Sequence, residues 1–260
     1  MKKSFLLCLL MTLFTTWAVQ AAELTVHDGT TTNNTAPMYV YYFDDFTRSQ
    51  TVFPAEELAD MKNESILSMK FYTSYTSAYT TASTVDIYLK EVEDATISEF
   101  VDKDDATIVY QGTLDFVMED GRATVTIEFA TPFEYNGGNL MFGCDNTTDA
   151  GYRNISFYGE TATGASISGS NSSSLDNVSP SQKSFIPKTT FTYGTPPACP
   201  KVSGLTISNI TTTSAALSWD AIGNASAWNF MGSTEEDFPM TITKRLVSTT
   251  FLLFLFPAIP

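Results

Sequence analysis

The chain has 260 residues, with 14 basic side chains against 29 acidic ones, one histidine and a formal net charge of −15. That balance argues against nucleic acid or an anionic membrane as partner, and it suits a solvated acidic surface or divalent cations. One histidine and, past residue 22, only two separated cysteines cannot assemble a zinc ligand set, and they leave a Ser or Cys nucleophile short of its usual base.

Residues 1–22 read as a secretory signal peptide. Lys2 and Lys3 form the positive start, and Ser4 to Trp17 is an apolar run too short for a comfortable span. Val19 and Ala21 stand three and one residues before the expected cut. Leu7 before Cys8 does not suit a lipoprotein signal. The expectation is an exported protein, secreted or at the cell surface, with no membrane insertion after cleavage. Without Lys2 and Lys3, 12 basic residues face 29 acidic ones, so the exported part is near −17. Cys144 and Cys199 remain. Cys144 lies in the apolar "NLMFGCDN" and is expected to be a buried small side chain.

From Glu23 to Gly194 the chain is a series of short β signals. "ELTVH", "MYVYYF", "SQTVF", "SILSMKFYT", "STVDIYLKEV" and "ATIVYQGTL" come first. "RATVTIEF", "NLMFGC", "ISFYG" and "KTTFTYG" follow. Gly, Asn and Asp clusters such as "MEDGR" and "EYNGGN" divide them. Such spacing predicts an antiparallel sandwich or barrel. Val125, Ile127 and Phe129 alternate with Thr124, Thr126 and Glu128, the period of a half-buried strand. "PAEELADM" (Pro54 to Met61) predicts two helical turns behind Pro54, and "ATISEFV" another short turn. Residues 159–183, rich in Ser, Thr, Gly and Asn, read as a loop or mobile hairpin. Residues 195–201 form a proline-rich linker that separates two domains.

Beyond it, Leu205 and Ile207 alternate, as do Ala215, Leu217 and Trp219, and Trp228 and Phe230 open a third strand. Residues 202–230 resemble the first third of a fibronectin type III module. That resemblance implies that Trp219 is a core residue with Trp228 near it. The pattern stops at Phe230, so the module reads as incomplete and residues 231–260 as an aberrant or disordered tail. The expected cause is a shift of reading frame or a cut near residue 229. On that view the fragment buries Leu217 and Trp219 poorly.

"VFPAEELADM", "ATIVYQG", "PFEYNGGNLMFGCDN" and the closing "PKTTFTYG" resemble an exported β-sandwich module of Bacteroidetes bacteria, one that commonly precedes fibronectin type III domains. In "PFEYNGGNLM", Pro132 and Phe133 are expected to end a strand, "NGG" to turn the chain and Leu140 to Phe142 to start a buried strand. The resemblance implies a jelly-roll-like sandwich with a surface interaction role rather than an enzyme. The order of sandwich, "CP" linker and fibronectin-like module is similar to adhesin regions of secreted proteases and haemagglutinins. It implies that Cys199 pairs with a cysteine late in a complete fibronectin module.

The fold class expected is therefore all-β: a jelly-roll-like antiparallel β-sandwich over residues 23–194 and an incomplete fibronectin type III-like sandwich. No catalytic residue, cofactor-binding residue or metal ligand stands out. Asp44 beside Asp45 and Glu56 beside Glu57 are adjacent acids, which a strand points to opposite faces. Calcium is the compatible ion, with "DNTTDAG" (Asp145 to Gly151) and "YYFDDF" as candidate oxygen donors. Tyr72, Tyr75 and Tyr79 in "FYTSYTSAYTT" are the expected ligand contacts, since sugar rings stack on aromatic faces, with Tyr39, Tyr41 and Tyr42 nearby. The expected function is non-catalytic: adhesion or binding of an extracellular glycan or protein. The alternatives are a structural spacer and an ancillary domain of a larger secreted hydrolase.

Overall fold

A computed structural model describes residues 21–42, 45–148, 151–196, 203–209, 211, 214–220, 228–230, 244–246 and 250–254. Residues 1–20 of the expected signal peptide and most of the linker therefore lie outside the described residues, and Ala22 begins a strand. In chain order the strands of the larger unit are β1 (Ala22–Val26), β2 (Thr31–Asn33), β3 (Phe46–Phe53), β4 (Glu64–Tyr72) and β5 (Tyr79–Thr80). Then come β6 (Val85–Val92), β7 (Thr107–Gly112), β8 (Asp115–Glu119), β9 (Arg122–Tyr135) and β10 (Asn139–Asn146). β11 (Phe157–Glu160), β12 (Ser166–Asn171), β13 (Ser181–Lys183), β14 (Ile186–Pro187) and β15 (Thr189–Gly194) complete it.

These strands build two six-stranded sheets and a small third one. The first sheet runs β1-β15-β4-β9-β8-β5, the second β13-β12-β3-β10-β6-β7, and the third β14-β11-β2. Neighbouring strands in the two large sheets are antiparallel, as in β4 with β9 and β3 with β10. The chain crosses between the large sheets after β3, β5, β7 and β9, and by way of the small sheet between β1 and β3 and between β13 and β15. Their apolar faces meet in one core. Phe71 of β4 packs edge-on against Phe142 of β10 at 5.1 Å between ring centroids, and Phe191 of β15 meets Phe53 of β3 at 5.3 Å. Such edge-to-face pairs add to the area term that holds sandwiches together. The all-β sandwich expected from the alternation is present. In β9, Val125 and Ile127 are buried and Thr126 and Glu128 are exposed.

Several local expectations are corrected. "MYVYYF" is not a strand: Val40–Tyr42 is a 3-10 turn, closed by Tyr42 N–H to Tyr39 O and Asp45 N–H to Tyr42 O. Met38 and Val40 anchor it in the core, while the tyrosines pack on one another. "PAEELADM" does form the expected short helix, a 3-10 segment over Ala55–Met61 behind Pro54. β9 runs on through Pro132 to Tyr135. β8 pairs it only from Arg122 to Val125, so the missing proline N–H falls where that flank carries no β8 ladder. A register shift opposite, between Ile66 and Ser68 of β4, accommodates the change. Glu91 caps the "NGG" turn that follows, accepting from Asn136 Nδ2 and from the Asn136 and Gly138 amides.

Residues 159–183 do include a hairpin, β12 with β13, but it is built into the second sheet and is not a surface loop. Ser166, Ile167 and Ser168 are buried in β12, paired with β3. Ser166 Oγ donates to Phe185 O and meets Thr51 Oγ1 at 2.7 Å, so small hydroxyls serve as internal fasteners. "ATISEFV" is not helical either. It belongs to a strap, residues 93–106, laid over the outer face of the second sheet. Ile97 joins Val52, Tyr88, Met141 and Ile167 in a second, smaller core, with Phe100 and Val101 against it. Gln50 grips the strap with both ends of its amide: Nε2 donates to Val101 O at 2.7 Å and Oε1 accepts from Val101 N at 2.8 Å. Beside it Asp145, fully buried, takes a bidentate pair from Arg48 at 2.8 and 2.9 Å, an ion pair from Lys103 at 3.2 Å and the Tyr88 hydroxyl at 3.1 Å. Burial next to that carboxylate pushes the Tyr88 hydroxyl far above its usual range, which keeps it a donor.

The C-terminal strands are β16 (Ser203–Ser208), β17 (Ser214–Asp220), β18 (Trp228–Phe230), β19 (Lys244–Leu246) and β20 (Thr250–Phe254). They form a three-stranded sheet, β16-β17-β20, and a β18-β19 pair. Leu217 and Trp219 are buried, contrary to the expectation that the fragment leaves them uncovered. The apolar run from Phe251 supplies β17 with a second partner strand, Leu217 opposite Phe251.

Candidate functional site: a groove beside Tyr72

The two outer faces of the sandwich differ. The strap covers the second sheet's face and leaves beside it a groove of similar volume, whose charged lining is Lys90 with the carboxylates Glu91, Glu93, Asp94 and Glu99. The first sheet's outer face is polar and carries a groove of about 470 Å³ at one end. Alternation along β4 makes it so: Met69 and Phe71 enter the core, and Lys70 and Tyr72 point outward.

Two turns form the rims. The β8–β9 hairpin reverses at Asp120 and Gly121, with φ of +49° and +82°, between the paired Glu119 and Arg122. An Asp-Gly pair is suited to that two-residue turn because both positions need positive φ. On the other side His27, φ +53°, turns the chain out of β1 and sets Asp28 at the groove. Tyr158 of β11 and Lys188, between β14 and β15, complete the walls.

Lys70 pairs with Glu119, and Lys188 pairs with Asp28. Both ammonium groups also lie over the Tyr72 ring, 5.5 Å and 4.4 Å from its centroid. The Tyr72 hydroxyl meets Thr190 Oγ1 at 2.8 Å, and Thr190 Oγ1 meets Thr25 Oγ1 at 2.7 Å. The lysines are the shielded partners, with side chains 24 % and 22 % exposed, against 48 % for Glu119 and 73 % for Asp28. The Lys70 ammonium, with help from Thr124 Oγ1, holds the Glu119 carboxyl below the usual carboxylate range. Arg122 lines the same groove and, among the described residues, has no ion-pair partner.

The three tyrosines expected to contact ligand do not form one platform. Tyr72 lies in the groove. Tyr75 packs against the main core, and its carbonyl accepts the Ala123 amide. Tyr79 stacks on Phe116 at 6.3 Å, with the Arg153 guanidinium 5.0 Å from its ring centroid. Sequence reasoning missed Lys70, Asp28, Glu119, Arg122 and Lys188. The i, i+2 spacing of Lys70 and Tyr72 and the "MEDGR" turn that sets Glu119 opposite Arg122 are the local signals that pair members of the set.

Other candidate chemistry is distributed elsewhere. Both ring nitrogens of His27 face carboxylates, Nε2 at 2.7 Å from Glu57 and Nδ1 at 3.4 Å from Glu160, so neither faces a nucleophile. Cys144 is a free thiol buried in the core, and burial pushes it well above its usual range. Cys199 lies outside the described residues. Of the calcium candidates, Asp145 already holds Arg48 and Lys103, and Asp44 and Asp149 lie outside the described residues. Among the described residues no group of three or more His, Cys, Asp or Glu gathers as a metal site, and no helix is long and apolar enough to cross a membrane. No family model, curated protein or solved structure matches the chain. The likenesses to a Bacteroidetes sandwich and to fibronectin type III therefore rest on the quoted residues alone.

Proposed function

We propose that the chain is an exported, non-catalytic surface module that binds a carbohydrate in the groove beside Tyr72, as in adhesion to a glycan. The observation that carries this reading is the asymmetry of the sandwich. The groove beside the strap on one outer face has four carboxylates, one lysine and no tyrosine, while the other face offers a concave site with two tyrosines and converging charged groups. Concave sites with a few placed polar groups are where small ligands bind. The carboxylates around His27 and the burial of Cys144 support a binding role over nucleophilic chemistry. The test is a glycan array probed with the purified chain. Signal above a heat-denatured control, lost in a folded Tyr72→Ala variant, is the expected result. Absence of signal for every sugar ends the reading.

A further inference from the structure

We infer that the groove selects an anionic sugar, one bearing a carboxylate or a sulfate ester, and that Asp28 and Glu119 occupy its cation sites until the ligand displaces them. This deepens the carbohydrate reading above and rests on it.

Three cations converge here, Lys70, Lys188 and Arg122, in a chain with only 14 basic residues. The two lysines are fixed twice over, by their carboxylate partners and by the shared Tyr72 ring. Tyr72 thus seats the cations, a role different from stacking on a sugar face. Their present partners are more open to water. Asp28 follows β1 and Glu119 ends β8, where Thr124 Oγ1 also donates to it, and both are far more solvent-exposed than the lysines. Exposed ion pairs are weak because water competes for both ends. An incoming oxyanion can take over the ammonium groups while the carboxylates swing into solvent. Arg122 adds a planar fork suited to carboxylate or sulfate oxygens. The chain's overall negative charge does not forbid this, since screening at physiological ionic strength confines repulsion to about 8 Å.

The sign of one substitution separates this arrangement from a neutral-sugar site. Carboxylates that hydrogen-bond sugar hydroxyls are needed for binding, so removing them weakens it. Carboxylates that compete with the ligand hinder binding, so removing them strengthens it. The experiment measures binding of the full chain to glucuronate-terminated and to O-sulfated oligosaccharides, each against its neutral parent. The expected result is binding of at least one acidic series, weakened by salt and lost in Lys70→Met/Lys188→Met. In Asp28→Asn/Glu119→Gln that binding tightens roughly twofold to fivefold per displaced pair. The second variant changes only exposed side chains and reports even if the lysine variant misfolds. The two acidic series tell carboxylate from sulfate. Neutral sugars bound in preference, or affinity that falls in Asp28→Asn/Glu119→Gln, overturns the inference and leaves the carbohydrate reading standing. Binding to no sugar overturns both.

Discussion

Replacing Asp145 by Asn tests how the strap is held. The carboxylate is fully buried and neutralises two cations, Arg48 and Lys103, while accepting from Tyr88. Asparagine keeps the shape but removes the charge and sets an NH2 group among donors. Breaking a fully buried pair costs about 3–5 kcal/mol, mostly because a charge is left uncompensated. Here Arg48 and Lys103 retain 21 % and 39 % side-chain exposure and regain some hydration, which points to the lower end, about 3 kcal/mol. For a chain of this size that is a fall in Tm of about 6–12 °C. Urea unfolding of Asp145→Asn, Arg48→Met and the double variant measures it. The double variant is expected to lose less than the sum of the singles, by about 1 kcal/mol or more, because each single strands the other's charge. Hydrogen exchange at the Val101 amide, which Gln50 holds, is expected to quicken in Asp145→Asn. A loss under about 0.5 kcal/mol, the ordinary surface level, refutes the reasoning.

Gly143→Ala places a methyl 2.2 Å from the Tyr88 ring, whose hydroxyl is tied to Asp145 and Gln50, so the ring cannot yield. Chemical denaturation is expected to show a loss of about 2–3 kcal/mol, and a neutral result contradicts the β10–β6 register. Burial pushes the Glu91 carboxyl up, but the bonds it accepts from Asn136 and the turn amides outweigh this and hold it below the usual range. A lowered folded value means its stabilisation is full above the unfolded carboxyl's value, about 4.3, and fades as pH falls through the folded one. Glu91→Gln is therefore expected to be less stable at neutral pH, with the gap to wild type closing in acid melts; a pH-independent gap counts against it. Cys144, in a chain carrying Cys8→Ser and Cys199→Ser, is expected to resist thiol reagents until urea unfolds it, and rapid native labelling contradicts its burial.

The sheets were legible because burial on one face imposes a period of two, as in "ATVTIEF", and because turn residues such as Asp120 and Gly121 announce reversals. What alternation could not show was which segments lie on top of a sheet. "ATISEFV" mixes apolar and polar residues like a helix because only Ile97, Phe100 and Val101 reach the sheet beneath it. Residues 166–168 read as loop because the burial of Ser166 depends on partners distant in sequence, the Thr51 hydroxyl of β3 and the Phe185 carbonyl. The groove has the same character. Glu119 and Lys70, or Asp28 and Lys188, become neighbours only through the β4–β9–β8 and β1–β15 pairings. Tyr72 was visible as an aromatic in a polar stretch, but its partners were not.

The groove depends on strand β4 turning Phe71 inward and Tyr72 outward between apposed sheets. The most direct measurement is the nuclear Overhauser spectrum of the aromatic rings in the folded chain. Phe71 is expected to show cross-peaks to Phe142, and Phe191 to Phe53, each vanishing when one partner becomes Leu, while Tyr72 shows contacts to Lys188. A dispersed spectrum in which Tyr72, and not Phe71, contacts Phe142 would place the wrong face of β4 in the core and dismantle both the sandwich register and the site built on it.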